Sequence, residues 1–259
     1  MAPKGLGIDA ARETERIVKF IQATVAGAGA EGAVVSLSGG IDSAVVGALC
    51  VRALGKKKVL GLLLPSEHTP PQDAEDARGL ASAWGIRAET VPIAGTVKAL
   101  VESSKLEGTR VARANVQARV RMTIAYFFAN SRQLLVAGTG DKSEEILGFF
   151  TKGGDGLADF LPIAHLYKTQ VRLLGAHLGV PGRVVEKPAS PQLWPGHKAT
   201  DELPADYDKL DIALHHLFDL KTGVDEAAAG AGLPVSAVEK ALEMHRRTAH
   251  KRALPPSLE

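Results

Sequence analysis

Short apolar runs without polar alternation recur through the first half of the chain. A strand that is buried on both faces has no polar side to alternate, and such strands occur in parallel sheets covered by helices. The runs therefore predict an α/β fold with a Rossmann-like parallel sheet and helices on both faces. They are "AVVSL" from Ala33, "VLGLLL" from Val59, "AETVPI" from Ala88 and "LLVAG" from Leu134.

Helical spacing of apolar residues fills the intervals between the predicted strands. Asp9 is expected to cap an N-terminal amphipathic helix that ends near residues 27–32. In folds of this class, ligands bind at the carboxyl ends of the strands. The later predicted helices cover residues 44–54, 71–84, 96–103 and 115–129.

The helix predicted over residues 115–129 has one apolar face. Arg119 is expected to point away from that face. The end of this face near Phe127 and Phe128 is expected to be buried in the core. A contact between two copies of the chain is the alternative. The face comprises Val116, Val120, Ile124 and Phe127.

The second half of the chain has a less regular pattern. Residues 138–165 mix glycine, acids, lysines and aromatics without a sustained period, which predicts an irregular segment that faces a ligand. A helix is expected to start near Leu166, followed by a mobile loop over residues 188–204 and a helical C-terminal segment. No linker interrupts the pattern, so residues 1–259 are expected to form a single domain.

The charge balance argues against a surface dedicated to nucleic acid or to a membrane. The 259 residues carry 31 Lys and Arg against 29 Asp and Glu, a formal net charge of +2, and 45% are hydrophobic. Cys50 is the only cysteine, which excludes paired-thiol chemistry within the chain, and it is expected to pack on a helix. The first residues lack a signal-peptide core, so a cytoplasmic protein is expected.

The stretch "VVSLSGGIDSAVVGAL", residues 34–49, predicts an anion-binding bend. A strand that turns through glycines into a helix presents unpaired N–H groups and the positive end of the helix dipole. The bend has neither the Walker lysine nor the GxGxxG spacing. Asp42 would repel phosphate unless a cation lay between them, so the sequence predicts Mg²⁺ bridging Asp42 and phosphate oxygens.

Five motifs together carry a resemblance to a known family. "SLSGGIDS" resembles the pyrophosphatase loop of ATP-dependent adenylating enzymes. With "NVQARVRM" at Asn115, "AGTGDKSE" at Ala137, "GDGLADFLPIAHLYKTQ" at Gly154 and "PASPQLW" at Pro188, the chain is similar to ammonia-dependent NAD synthetases over nearly its whole length. The resemblance implies an adenine nucleotide alpha hydrolase-like fold. It also implies that ammonia amidates nicotinic acid adenine dinucleotide (deamido-NAD) to NAD through an acyl-adenylate, releasing AMP and pyrophosphate from ATP.

The resemblance further implies roles for individual residues. Mg²⁺ is assigned to Asp42 and Glu144, and Lys168 is expected to stabilise charge on the departing pyrophosphate. Independently of the resemblance, Asp155 is a candidate to hold ammonium or the substrate ribose or to cap a turn, and it is a candidate base for ammonium. ATP is assigned to Ser36, Leu37, Ser38, Gly39, Gly40, Ile41, Asp42, Ser43, Thr139, Lys168 and Ser190. Deamido-NAD is assigned to Arg119, Lys152, Asp159, His250 and Lys251.

The expected partners are small molecules and a second copy of the chain, since the family resemblance implies a homodimer. Glutamine-dependent relatives carry an additional amidase domain, and too few residues precede Ala33 to form one here. Free ammonia is therefore the expected nitrogen source, and delivery by a separate glutaminase remains open.

Three positions depart from the usual family pattern: Asp141, Gly153 and His197. The loss of an aromatic residue at Gly153 puts one stacking contact with substrate in doubt. None of the three is expected to involve Asp42, Glu144 or Lys168. Two other functions stay open, another ATP pyrophosphatase of the GMP synthetase type and a module that binds ATP without turnover.

Overall fold

The computed structural model describes residues 5–258 and contains one four-stranded parallel sheet. Its strand order is β3-β2-β1-β4, which confirms the predicted parallel α/β fold. Since β2 and β4 flank β1 on opposite sides, the chain reverses its direction of winding between β1 and β4, where such folds bind ligands. The strands are β1 (Gly32–Ser36), β2 (Val59–Leu63), β3 (Arg87–Thr90) and β4 (Leu134–Ala137).

Eleven α-helices are present in the described part of the chain. The first seven are α1 (Ala10–Gly27), α2 (Ile41–Leu54), α3 (Pro71–Trp84), α4 (Ala94–Ser103), α5 (Arg110–Arg132), α6 (Lys142–Leu147) and α7 (Lys168–His177). The last four are α8 (Gly182–Val185), α9 (Tyr207–Leu214), α10 (Val224–Ala231) and α11 (Val235–Arg247). Asp9 caps α1 as predicted, because its side chain accepts a hydrogen bond from the Arg12 amide.

Helices cover both faces of the sheet. Val35 of β1 packs in a core with Ile17 of α1 and Leu49 of α2. Its neighbour Val34 points the other way and packs with Val120 of α5. This two-sided burial explains why β1 has no polar alternation.

Several predicted boundaries were wrong. Helix α2 begins at Ile41 rather than at residue 44, so Asp42 and Ser43 belong to its first turn. Helix α5 begins at Arg110, five residues before the predicted start, because the Thr109 side chain caps it. Helix α6, with only six residues, lies inside the segment predicted to be irregular. Such a helix is too short to show a period in the sequence.

The apolar face predicted for α5 was wrong at its C-terminal end. Phe127 is 69% exposed in the single chain and meets Phe128 edge to face. Small residues form most of the buried stripe of α5, and Phe127 does not belong to it. The buried residues are Ala114, Gln117, Ala118, Val120, Ala125 and Ala129.

A second core, formed with the C-terminal helices, fixes α6 and α7. Leu147 of α6 and Tyr167 before α7 pack with Leu210 of α9 and Ala241 of α11. Cys50 is fully buried on α2 as predicted, and burial raises the pKa of its thiol to about 12. No helix among residues 5–258 is long and apolar enough to cross a membrane.

Candidate active site

A cavity of about 560 Å³ lies at the carboxyl ends of the strands. Leu37 follows β1, Leu64 follows β2 and Thr139 follows β4, and all three line the cavity. The predicted loop segment at 188–204 closes one side, where Ser190 and Trp194 face the same space. This is the position that the fold predicts for a ligand.

The glycine bend between β1 and α2 forms the floor of the cavity. Gly40 is the N-cap of α2 and no side chain caps the helix there, so first-turn N–H groups remain for an anion. The Ser43 hydroxyl donates to the Gly40 carbonyl and accepts from the Ser38 amide, so it holds the bend together. The Leu37 side chain is buried in the core and its backbone N–H donates to the Leu62 carbonyl, so Leu37 offers no N–H group to an anion.

Gly39 requires glycine for two independent reasons. Its φ is +78°, and a Cβ there would lie 2.2 Å from the carbonyl oxygen of Asp73. The Lys187 ammonium donates to the Gly39 carbonyl at 2.9 Å and to Asp73 and Asp76 at 2.7 Å each. Helix α3 and the segment after α8 therefore hold the bend in place.

Lys168, the first residue of α7, lies in a ring of carboxylates. Its side chain is 2% exposed, and Nζ lies 2.7 Å from Asp42, 2.9 Å from Asp141 and 2.9 Å from Glu144. A cation at the start of a helix opposes the helix dipole, and these three acids compensate for it. Lys168 and Glu144 thus lie beside the glycine bend, as the sequence predicted.

The cluster carries excess negative charge. Burial alone would lower the pKa of Lys168, but the carboxylates of Asp141, Asp42 and Glu144 hold it well above its ordinary value. Burial raises the pKa of Asp141, and raises that of Glu144 far more, although Lys168 opposes both shifts. One ammonium among three carboxylates leaves room for a further cation.

The donor set fits Mg²⁺. Asp42 Oδ1 is buried and has no hydrogen-bond partner in the described structure. Within residues 5–258, no group of three or more His, Cys, Asp or Glu is arranged to hold a metal by itself. Mg²⁺ is commonly bound by one or two carboxylates completed by substrate phosphates and water, which matches Asp42 and Glu144 beside a phosphate loop.

A buried aspartate supports the cluster from below. Asp211 of α9 accepts hydrogen bonds from the Ser143 hydroxyl at 2.6 Å and from the Thr169 amide at 2.8 Å. Ser143 Oγ in turn accepts from the Lys168 amide at 3.0 Å. Burial raises the pKa of Asp211 to about 6. This relay joins the first turns of α6 and α7, which carry Glu144 and Lys168.

The residues assigned to deamido-NAD are more dispersed. Lys251 lines the cavity and donates to the carbonyls of Gly148 and Phe150. Four others do not line it: Arg119, Lys152, Asp159 and His250. They lie at the exposed surface of the single chain.

Local hydrogen bonds account for most of these surface positions. Arg119 donates to the Lys152 carbonyl, and Lys152 Nζ donates to the His250 carbonyl, so these three residues form one group. Asp159 accepts from the Val136 amide at 2.7 Å and from the Tyr126 hydroxyl, which fixes it against β4.

Asp155 lies on the cavity wall. It is accessible to solvent, yet the surrounding protein raises the pKa of its carboxyl through burial. Its Oδ1 accepts a hydrogen bond from the Thr151 amide at 2.9 Å. A second cavity of about 40 Å³ shares Thr139, Glu144 and Asp155 with the main one.

Two of the three departures from the family pattern, Asp141 and His197, have structural roles. Asp141 contacts Lys168 and forms a capping box with Glu144, so the expectation that it stays clear of the cluster was wrong. His197 is buried, stacks on Trp194 and pairs with Glu202 at 2.8 Å. These contacts order the segment after Ser190, whose hydroxyl donates to the His197 carbonyl.

Sequence reasoning missed six charged residues of the cavity wall: Asp73, Arg78, Arg121, Arg172, Lys187 and Glu202. Lys187 directly precedes the quoted "PASPQLW" motif, and Arg121 lies within "NVQARVRM", so both were adjacent to recognised signals. Asp73 gave no signal, because its role depends on packing across more than thirty residues against Gly39.

Comparison with known proteins gives consistent relatives. A family model described as NAD synthase matches residues 13–255. The NH(3)-dependent NAD(+) synthetase of Hyperthermus butylicus is 47% identical over 253 residues, covering 97% of this chain and 92% of that protein.

Solved structures agree. NMN synthetase from Francisella tularensis is 33% identical with a TM-score of 0.87, covering 97% of this chain and 99% of that one. NH3-dependent NAD synthetase from Campylobacter jejuni, in complex with the nitrate ion, is 30% identical with a TM-score of 0.82, covering 98% of this chain and 100% of that one. On the strength of both comparisons, this chain belongs to the NAD synthase family.

Proposed function

We propose that the protein forms NAD from deamido-NAD, ammonia and ATP, with AMP and pyrophosphate as the other products. The observation that carries the proposal is the buried Lys168 cluster beside the uncapped N-terminus of α2. A loop that only held a nucleotide would not need this assembly of opposed charges. Family membership supports the same reaction.

The first step activates a carboxylate. Its negative charge repels nucleophiles and it has no good leaving group, so direct attack by ammonia is too slow. The nicotinate carboxylate attacks the α-phosphorus of ATP, and the bond from that phosphorus to pyrophosphate breaks. The N–H groups of the bend and the Lys168 ammonium stabilise the charge that develops on the departing pyrophosphate.

Mg²⁺, held by Asp42 and Glu144, would supply further positive charge to the phosphate oxygens when bound. Asp42 lies in the first turn of α2, so its carboxylate is placed directly beside the phosphate loop. Lys168 contacts both carboxylates and orients them before the substrates arrive. The bend, Lys168 and the two carboxylates would together form the phosphate site.

The second step forms the amide. Ammonia attacks the acyl carbon, AMP leaves, and one proton of the attacking nitrogen must be removed. Asp155 is suited to take a proton from ammonium, because its raised pKa makes it a stronger base. The 40 Å³ cavity beside it is large enough for one ammonia or water molecule.

The structural neighbour named NMN synthetase raises a second candidate substrate. Nicotinic acid mononucleotide carries the same reactive carboxylate as deamido-NAD but lacks the adenylate half. The relative from Hyperthermus butylicus, with the higher identity, favours the dinucleotide. We therefore keep deamido-NAD as the main substrate and the mononucleotide as the alternative.

We also propose a homodimer in which the deamido-NAD site is completed near the interface. Arg119, Lys152 and His250 form one surface group outside the cavity of the single chain. Phe127, on the same helix as Arg119, leaves a large apolar ring exposed. Sedimentation equilibrium tests this directly: a dimer in wild type that weakens in Phe127→Ser supports the proposal, and a monomer at assay concentrations contradicts it.

The activity is tested with purified protein, ATP, Mg²⁺ and ammonium, while pyrophosphate release and NAD formation are followed together. Deamido-NAD, nicotinic acid mononucleotide and xanthosine monophosphate are supplied in separate reactions. We expect the highest kcat/KM with deamido-NAD and loss of activity in Asp42→Ala. A higher kcat/KM with the mononucleotide would reassign the substrate. Turnover of xanthosine monophosphate alone would favour a GMP synthetase, and ATP binding without any turnover would leave only a binding module.

A further inference from the structure

Arg121 of α5 is a half-buried cation on the cavity wall. Its Nε donates to the Leu64 carbonyl at 3.1 Å, just beyond the end of β2. This bond places the guanidinium at the edge of the sheet where the substrates are proposed to bind. Arg119, two residues earlier, instead bonds to the Lys152 carbonyl outside the cavity.

Arg121 has no close counterion, in contrast to Lys168 and Lys187 on the same cavity wall. Lys168 and Lys187 each contact at least two carboxylates within 3 Å. Among residues 5–258, no carboxylate oxygen lies within 4.0 Å of the Arg121 guanidinium, which is the limit for an ion pair. Burial lowers the pKa of Arg121, and Asp155 acts on it only at longer range.

Such a side chain has unused binding capacity. A guanidinium has five N–H donors, and in Arg121 only the one on Nε has a partner in the described structure. The two terminal nitrogens can bind two oxygens of one planar or tetrahedral anion side by side. Burial of an uncompensated charge is unfavourable, and a bound anion would offset it.

The substrates bring such an anion into a cavity whose wall also carries several carboxylates. Asp42, Glu144 and Asp155 all line it, so an entering carboxylate or phosphate is repelled by fixed negative charge. Lys168 and Lys187 already share their charge with carboxylates that they contact. Arg121 is therefore a half-buried cation whose terminal N–H groups remain available, whereas the Lys251 ammonium, also in the cavity, already donates to two backbone carbonyls.

We propose that Arg121 binds a reacting oxyanion, either the nicotinate carboxylate of the dinucleotide or the α-phosphate of ATP. This inference rests on the proposed function for the identity of the substrates. It adds a binding residue that holds one reactant in line with the other. Loss of a hydrogen bond between charged groups changes affinity by roughly 10- to 100-fold.

Two variants and a matched control test the proposal. Arg121→Gln removes the charge, and Arg121→Lys keeps it without the paired donors. Arg113→Gln is the control, because Arg113 lies on the same helix and also donates to a backbone carbonyl, that of Glu107, but is exposed and outside the cavity. Melting curves establish which variants are folded. If Arg121→Gln does not fold, Arg121→Lys is the variant that tests the proposal.

Equilibrium binding of deamido-NAD, NAD and ATP identifies the anion. NAD has an amide in place of the carboxylate of deamido-NAD. If Arg121 binds that carboxylate, wild type should bind deamido-NAD more tightly than NAD, and the variants should lose this preference. A phosphate role predicts a fall of roughly 10- to 100-fold in ATP affinity with the preference retained. Unchanged affinities for all three in folded variants would overturn the proposal. If wild type makes no NAD, the proposed function fails, while the binding measurements still decide the role of Arg121.

Discussion

The two ends of the cavity are built in different ways. At the phosphate end, Lys168 Nζ lies within 3 Å of both Asp42 and Glu144. The Lys168 amide donates to Ser143 Oγ, and the Ser143 hydroxyl donates to Asp211, so buried hydrogen bonds hold this end in place. At the other end, the residues assigned to deamido-NAD lie at the surface, and only Lys251 lines the cavity.

This difference distinguishes the part of the site that a single chain completes from the part that it leaves incomplete. The phosphate end is preorganised, because every charged group in the Lys168 cluster already has its contact in the single chain. The surface group has backbone carbonyls as its main partners and keeps its charges exposed. We therefore expect substitutions at the phosphate end to affect the chemical step, and substitutions in the surface group to affect binding of one substrate.

The largest effect is expected at Lys168. Lys168→Met leaves three carboxylates close together without their cation and removes charge from the pyrophosphate, so kcat should fall by about 10³-fold. Steady-state kinetics would measure it, with Lys142→Met as the control because Lys142 pairs only with Asp219 outside the cavity. If folded Lys168→Met keeps a tenth of wild-type kcat, the cluster has no catalytic role.

The second-largest effect is expected at Gly39. Gly39→Ala combines a positive φ with a Cβ that would overlap the Asp73 carbonyl, so the bend must shift and kcat/KM for ATP should fall about 100-fold. Gly29→Ala is the matched control, since Gly29 has φ +63° but nothing within 4 Å of its Cβ. Equal losses in both variants would show that backbone strain alone is responsible.

A smaller and more selective effect is expected at Arg119. Arg119→Ala should raise the KM for deamido-NAD about tenfold and leave the KM for ATP unchanged, because its guanidinium lies outside the phosphate end. Substrate titrations on both axes would separate these values. A parallel rise in both KM values would contradict the division of the cavity into two ends.

The smallest effect concerns stability at Asp211. Its folded pKa of about 6 exceeds the ordinary 3.8, so its stabilising contribution is full below pH 3.8 and is lost as pH rises through 6. Asp211→Asn should flatten this part of the stability profile, changing Tm by about 4–8 °C across pH 4–6 relative to wild type. An Asp208→Asn control should keep the wild-type slope, because Asp208 is exposed. Parallel profiles for Asp211→Asn and wild type would contradict the assignment.

The parallel sheet and the position of the cavity were predictable, because unalternating strands and the glycine bend are local signals. The meeting of Thr139, Glu144 and Lys168 with the bend followed from the motifs and from where strands end. The role of Asp141 did not, since a capping residue shows its second contact, with Lys168, only when α7 is in place. Phe127 was misplaced because a helical period identifies an apolar stripe but cannot tell which stripe packs closest to the sheet.

The central claim is that the phosphate end activates the substrate carboxylate with ATP. It is tested most directly with deamido-NAD labelled with ¹⁸O in both carboxylate oxygens, followed by mass spectrometry of the products. Attack on the α-phosphorus followed by displacement of AMP should place one ¹⁸O in AMP and one in NAD, with none in pyrophosphate. NAD formed with unlabelled AMP would show that the carboxylate never bonded to the α-phosphorus, and the mechanism would be wrong.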